Sequence, residues 1–259
     1  MPFVQARGLR FHTHKLGTAG DPPVVMLHGL FTGSLASWWF TAAPAVARQH
    51  FVRLLDLRGH GLSDRPLSDY SRSTMRDDVL ALTADLAPFA LVGHSFGALL
   101  ALDLARHRPD RVTAVAAVEA PLMDLPGTGS VVDPEEPGSV NAAEAAVLRA
   151  RDEAPGRVDR ADRHPLEETT MIADLAADPP MGDRDLEALP VPALFLFGRT
   201  SGYVGAADRV RRVLPDAGCE ILDGGHSLHV DARDDVSERL VAFLDEPGDA
   251  PGEAAVAYG

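Results

Sequence analysis

Six stretches of the chain are apolar without a polar break at every second position: PPVVMLHG (22–29), FVRLLDLRG (51–59), FALVGHS (89–95), VTAVAAVEA (112–120), PALFLFG (192–198) and CEILDGG (219–225). A strand that is apolar on both of its alternating sides has both faces covered, so these runs predict strands buried in the middle of a layered fold. Between them lie segments of helical character: TMRDDVLALTADLA, FGALLALDLARHRPD, ADRVRRVLPD and VSERLVAFLDE. Strands alternating with helices predict an α/β fold, a mostly parallel sheet covered by helices on both faces. The opening FVQARGLRFHTHKLG alternates more cleanly and predicts an antiparallel hairpin at the sheet edge.

One interval breaks this rhythm. Between VEAPL and VPALFLFG about 65 residues pass without a convincing strand, rich in Asp, Glu, Pro and Ala, with helical pieces NAAEAAVLRARDE and LEETTMIADLA. So long an insertion with helices of its own predicts a cap over a site. A disordered acidic excursion, chiefly over 126–140, is the alternative. The expected division is a core of 1–122 and 190–246, a helical cap of 123–189 and a flexible tail of 247–259.

Composition narrows the classes. The 259 residues are 46% hydrophobic and 24% charged, enough to bury a core, and the formal net charge of -14 opposes nucleic acid and anionic membranes as partners. No run of about 18 apolar residues is present to span a bilayer, and the first residues lack a basic-then-apolar leader. A cytoplasmic protein with a small-molecule substrate, monomeric or homodimeric, is the expectation. The single cysteine, Cys219, lies in the apolar stretch GCEIL and reads as a small buried hydrophobe.

The chemistry gathers at strand ends. In LVGHSFGALLALDLA, Gly93-His94-Ser95-Phe96-Gly97 matches G-x-S-x-G between a buried strand and an amphipathic helix. Small residues on either side permit a sharp turn that exposes Ser95 at a helix N-terminus, where developing negative charge is stabilised. His226, in LDGGHSLHVD, follows the last strand and is the candidate base; His229, three residues on, is its rival. The backbone N–H of Phe96 and one from HGLFTGS, with Leu30 first and Phe31 next, are the candidate oxyanion donors. His94 and His28 read as packing or loop-fixing residues. Phe31, Trp38, Trp39 and Phe40, with Phe96 beside Ser95, form an aromatic cluster that reads either as a pocket wall for a bulky substrate, with Phe31, Trp38 and Trp39 the candidate substrate-binding residues, or as core.

On LHGLFTGSLASW (27–38), LLDLRGHGLSDRP (54–66), LVGHSFGALLALDLA (91–105) and LDGGHSLHVD (222–231), the chain resembles the cap-bearing, esterase and epoxide-hydrolase-like branch of the α/β-hydrolases. The match runs through 3–121 and 190–245. The resemblance implies an α/β-hydrolase fold and a metal-free, cofactor-free hydrolase of an ester, lactone or thioester working through an acyl-Ser95 intermediate. Carbon-carbon bond hydrolysis, or elimination or cyclisation at the same site, is the alternative, and a ligand-binding protein without turnover is a third. Members with an aspartate nucleophile, the dehalogenases and epoxide hydrolases, are disfavoured by Ser95. Most relatives carry an acid in a G-x-x-D turn after the penultimate strand, but here that register reads Gly198-Arg199-Thr200-Ser201. In some relatives the acid follows the preceding strand, and Glu119 of VAAVEAP stands there. Asp124, Asp208, Asp223 or no direct acid remain the other possibilities.

Overall fold

The computed structural model describes residues 3–30, 33–122 and 169–246. Its strands are β1 (Phe3–Ala6), β2 (Leu9–Leu16), β3 (Pro23–Leu27), β4 (Phe51–Leu55), β5 (Phe89–His94), β6 (Val112–Val118), β7 (Ala193–Gly198) and β8 (Gly218–Leu222). They form one sheet in the order β1-β2-β4-β3-β5-β6-β7-β8. The first two pairings are antiparallel and every other one is parallel. The edge hairpin turns on Arg7-Gly8, both at positive φ (49° and 82°), the two-residue turn whose twist suits paired strands.

The unbroken apolar runs are explained by where alternate residues go. Val25, Leu27, Leu91, Val115, Ala117, Phe195 and Phe197 point into one core. There they meet Met75 and Val79 of α3 (Arg72–Leu82) and residues 98–102 of α4 (Phe96–His107). Val24, Met26, Val92, Ala114, Ala116, Val118, Leu194 and Leu196 point into a second core. That one is closed by Trp38 of α1 (Ala36–Trp39), Ala43 and Val46 of α2 (Ala43–Val46), and Val236, Leu240 and Phe243 near the C-terminal end of the described chain. A period of two inside a continuously apolar run therefore feeds both faces of one sheet.

Strand ends fall short of the apolar runs. β4 stops at Leu55 although FVRLLDLRG continues to 59, because the next residues fold back over the Asp56 carboxylate. A Cβ on Gly61 would stand 2.1 Å from Asp56 Oδ2, so only glycine lets the chain pass there. β8 likewise ends at Leu222, releasing 223–227 as a loop.

The segment predicted as a cap falls largely outside the described residues. Its last part carries α5 (Met171–Ala177) and α6 (Asp183–Glu187). Tyr70 and Arg72 donate backbone N–H groups to Asp174 Oδ2 and Asp178 Oδ2 at 2.9 and 2.6 Å. Arg209, in α7 (Ala206–Val213), donates to the carbonyls of Leu122 and Met181, so one buried guanidinium binds the residue before the segment and a residue in its last part. No described helix is long and apolar enough to cross a membrane.

Candidate active site

The parallel register delivers three strand ends to one edge. Beyond the last paired residues, Ser95 N–H donates to Val118 O (2.9 Å), Glu119 N–H to Leu196 O (2.8 Å) and Arg199 N–H to Leu222 O (2.8 Å). Ser95, Glu119 and the Gly198–Ser201 turn thus leave β5, β6 and β7 side by side at the carboxyl ends of the strands, where open α/β sheets form their crevice. His226 joins them from the loop after β8.

Ser95 sits between β5 and α4 at φ 54°, ψ -120°. A side chain rarely tolerates this conformation, and two glycines make the turn possible. A Cβ on Gly93 would lie 2.2 Å from Gly97 O, and one on Gly97 would lie 2.5 Å from the Leu27 and His28 carbonyl oxygens. Backbone and helix therefore pack too closely for any larger residue, which drives the Ser95 hydroxyl out over the sheet edge. Glu119 is also held at positive φ, 58°; Arg7 and Asp69 are the remaining non-glycine examples among the described residues. Two of these four strained positions therefore fall at one sheet edge, and strained backbone of this kind clusters at functional sites.

His226 bridges the two. Its Nε2 is 3.1 Å from Ser95 Oγ, and its Nδ1 is 3.0 Å from Glu119 Oε2. Glu119 is wholly buried, and the end of β7 surrounds it: Gly198 N–H donates to Oε1 and Ser201 Oγ donates to Oε2. With a carboxylate accepting at Nδ1, that nitrogen carries the ring proton and Nε2 turns its lone pair to the serine hydroxyl. The arrangement can take a proton from Oγ and hold the resulting imidazolium against a negative charge.

The neighbouring histidines differ in burial and partners. His94 is buried and donates from Nε2 to the His226 carbonyl oxygen at 2.8 Å, tying the base's loop to β5. Burial first, then the nearby His229 and His226, hold its pKa well below the usual imidazole range. His229, in α8 (Leu228–Asp231), is buried with its ring 4.3 Å from His94 and 5.2 Å from Trp38; burial pushes its pKa down to about 4. Its neighbour His226 remains half-buried and turned to Ser95. His28 donates from Nδ1 to Gly29 O (2.6 Å) and accepts Leu57 N–H at Nε2 (3.0 Å), so its ring ties the loop after β3 to the one after β4.

That loop has a second anchor which sequence reasoning missed. Asp56, one residue past β4 and buried, accepts Leu35 N–H (2.6 Å), Leu62 N–H (2.9 Å) and the His12 ring (2.8 Å). It fixes the stretch that carries Leu30, the candidate donor, whose side chain is buried in the core. The available signal was a carboxylate ending an apolar strand, the same signal that singled out Glu119. Phe96, the other candidate donor, opens α4, where the first helical N–H groups have no partner within the helix.

Other candidates are placed elsewhere. Asp223 pairs with Arg199 at 2.7 Å and Asp208 with Arg211 at 3.6 Å, and both side chains are exposed. Asp124 and Phe31 lie outside the described residues. The pocket-wall expectation is corrected for Trp38. Its side chain is wholly buried in the second core, with Nε1 donating to Leu27 O at 2.9 Å, because the indole fills the space under the loop after β3. Trp39 stacks on His14 of β2, ring centroids 4.1 Å apart. Burial pushes the Cys219 thiol up to about 11, so it is no nucleophile near neutrality. No group of histidine, cysteine and acidic residues suited to a metal ion occurs among the described residues.

Comparison with known proteins agrees with this architecture. Residues 22–144 match the model of the alpha/beta hydrolase fold family. The sn-1-specific diacylglycerol lipase ABHD11 of Mus musculus is 30% identical over 261 residues, covering 88% of this chain and 82% of that protein. The dihydrolipoyllysine-residue acetyltransferase component of the acetoin cleaving system of Pseudomonas putida is 29% identical, covering 89% of this chain and 65% of that protein. The chain thus spans less than two thirds of the length of that relative, and well under half of others that it matches. Among solved structures, the enol-lactonase from Burkholderia xenovorans LB400 superposes with a TM-score of 0.74 at 22% identity, covering 95% of this chain and all of that one. With its sheet order, its strand-end site and these likenesses together, the chain belongs to the α/β-hydrolase fold family.

Proposed function

We propose that the protein is a serine hydrolase that cleaves an ester, lactone or thioester of a small, largely apolar metabolite through an acyl-Ser95 intermediate. The observation that carries this reading is the unbroken path from Ser95 Oγ through His226 to the buried Glu119, with contacts of 3.1 and 3.0 Å. His226 Nε2 takes the hydroxyl proton as Oγ attacks the carbonyl carbon. The Phe96 and Leu30 N–H groups receive the oxyanion, and Glu119 offsets the charge on the imidazolium. His226 then protonates the leaving oxygen or sulfur, and a water deprotonated by the same nitrogen releases the acyl group.

Apolar surroundings support the substrate class: Leu30, Phe96, Leu122, Met171 and Tyr203 all belong to the core that borders this strand edge. The relative named for a diacylglycerol lipase supports ester cleavage. The interval 123–189 is read as a cap over the site, a reading supported by Arg209, which binds the Leu122 carbonyl before it and the Met181 carbonyl in its last part. Incubation with a fluorophosphonate is expected to label Ser95 one to one, and p-nitrophenyl esters are expected to give a burst of p-nitrophenol. Labelling without turnover of any acyl substrate would favour carbon-carbon cleavage or elimination at the same site. No labelling at all overturns the nucleophile.

A further inference from the structure

We propose that Ser201 is a positioning residue: from the end of β7 its hydroxyl aims the Glu119 carboxylate at His226 and sets the pH at which Ser95 becomes nucleophilic. This rests on the reading of Ser95, His226 and Glu119 given above.

Ser201 is buried, and its hydrogen-bond directions follow from its partners. Its oxygen accepts the Tyr203 N–H at 3.1 Å, which leaves its own proton for Glu119. That proton goes to Oε2, the same oxygen that accepts from His226 Nδ1. The other oxygen, Oε1, accepts Gly198 N–H, and the turn closes on itself through Ser201 N–H to Gly198 O at 3.0 Å. One tight turn therefore holds both carboxylate oxygens, and the Glu119 side chain has no freedom to swing away from the imidazole. A buried carboxylate stays charged only while donors replace the water it has lost. The Ser201 hydroxyl is one of three such donors.

Few other groups share that task. Among the described residues, the titratable and charged groups facing the Glu119–His226 pair are His94 from β5, with its ring 4.9 Å from His226, Tyr203 at 4.9 Å from the loop before α7, His229 and Asp231 from α8, and Arg209 beyond Leu122. His94 and His229 are kept neutral by burial, and Asp231 accepts Gly225 N–H at 2.8 Å. Arg209 spends its donors on Leu122, Met181 and Asp183. Without Ser201 Oγ the negative charge on Oε2 is less well satisfied, the coupled Glu119–His226 pair binds a proton more tightly, and free base persists only at higher pH.

The test is the pH dependence of Ser95 phosphonylation by a fluorophosphonate, which needs no knowledge of the substrate. In Ser201→Ala the acidic limb is expected to move up by about one pH unit, so that at pH values well down that limb the rate falls about tenfold, the scale of a lost hydrogen bond to a charged group. Ser201→Thr, which keeps the hydroxyl, is expected to restore both. If the alanine variant does not fold, Ser201→Cys, with its weak donor, is expected to give a smaller shift in the same direction. A lowered melting temperature with an unmoved limb overturns the proposal and leaves Ser201 a packing residue. Measuring Glu119→Gln in parallel separates the two readings. Loss of labelling there beside an unshifted Ser201→Ala sinks only the role of Ser201, whereas wild-type labelling in Glu119→Gln sinks the orienting acid and this proposal together.

Discussion

The turn of the proposed nucleophile and that of the proposed acid are built in opposite ways. At the end of β5 the whole device lies within five residues: Gly93 and Gly97 allow the close approach, and Ser95 takes the strained conformation between them. At the ends of β6 and β7 the device is assembled from distant chain. Glu119 meets Gly198 79 positions away, Ser201 82 positions away and His226 107 positions away. Local sterics leave a signature in consecutive residues. A carboxylate that only has to reach an imidazole leaves a weaker one, a charge closing an apolar strand, since the pairing of Val118 with Leu196 brings two strand ends within reach of the same histidine.

The largest effects test each half of that contrast. Ser95→Ala is expected to lower kcat by about 10⁶, the scale at which a triad serine fails, with fluorophosphonate labelling abolished. Glu119→Gln is expected to cost about 10⁴ in kcat, because the amide offers no charge to the imidazolium. In that background Ser201→Asp places a carboxylate at the neighbouring strand end and should recover part of the loss. Recovery would show that the two strand ends are interchangeable positions for one charge; a double variant as inactive as Glu119→Gln would break that equivalence.

How much of this was legible in the sequence divides along the same line. The buried strands, the edge hairpin and the helices after Ser95 and before the last described residues followed from apolar periodicity, because burial on two faces is written in consecutive positions. Ser95 followed from its glycines. Glu119 was legible only as a charged residue closing an apolar strand. Asp56 carries the same mark and does a different job, holding Leu35 and Leu62 in the loops around it. Trp38 read equally as pocket wall or core, and what decides it is the Leu27 carbonyl behind it, a tertiary partner that no local pattern announces. Ser201 looked like a vacancy in the usual register. Its hydroxyl proved to be one of the donors around the acid, a relation visible only once β6 and β7 were laid side by side.

A middle-sized effect separates the buried histidines around the site from the proposed base. His229 has its pKa lowered to about 4 by burial, below the ordinary value near 6.5. A histidine whose folded pKa is depressed contributes stability that is complete above the unfolded value and lost as pH falls toward the folded one. The melting temperature is therefore expected to decline from about pH 6.5 down to about pH 4, with His229 contributing about 3 kcal/mol across that window. In His229→Phe that part of the slope should flatten. An unchanged slope would mean that the buried His229 ring is not what ties stability to pH.

The smallest effect is the sharpest control on where the acid stands. Asp223 lies three residues before His226 on the same loop, closer in sequence to the base than any other carboxylate in the site. If proximity along the chain chose the acid, it would be Asp223. Its side chain instead reaches Arg199 at 2.7 Å, with both partners largely exposed. An exposed ion pair of this kind contributes about 0–1 kcal/mol and is screened by salt. Asp223→Asn is accordingly expected to leave kcat within about twofold of wild type and to shift stability by no more than about 0.5 kcal/mol. A loss approaching that of Glu119→Gln would place the working charge on the loop after β8. Near-normal turnover would leave the β6 strand end as its source, with β7 supplying the hydrogen bonds that hold it there.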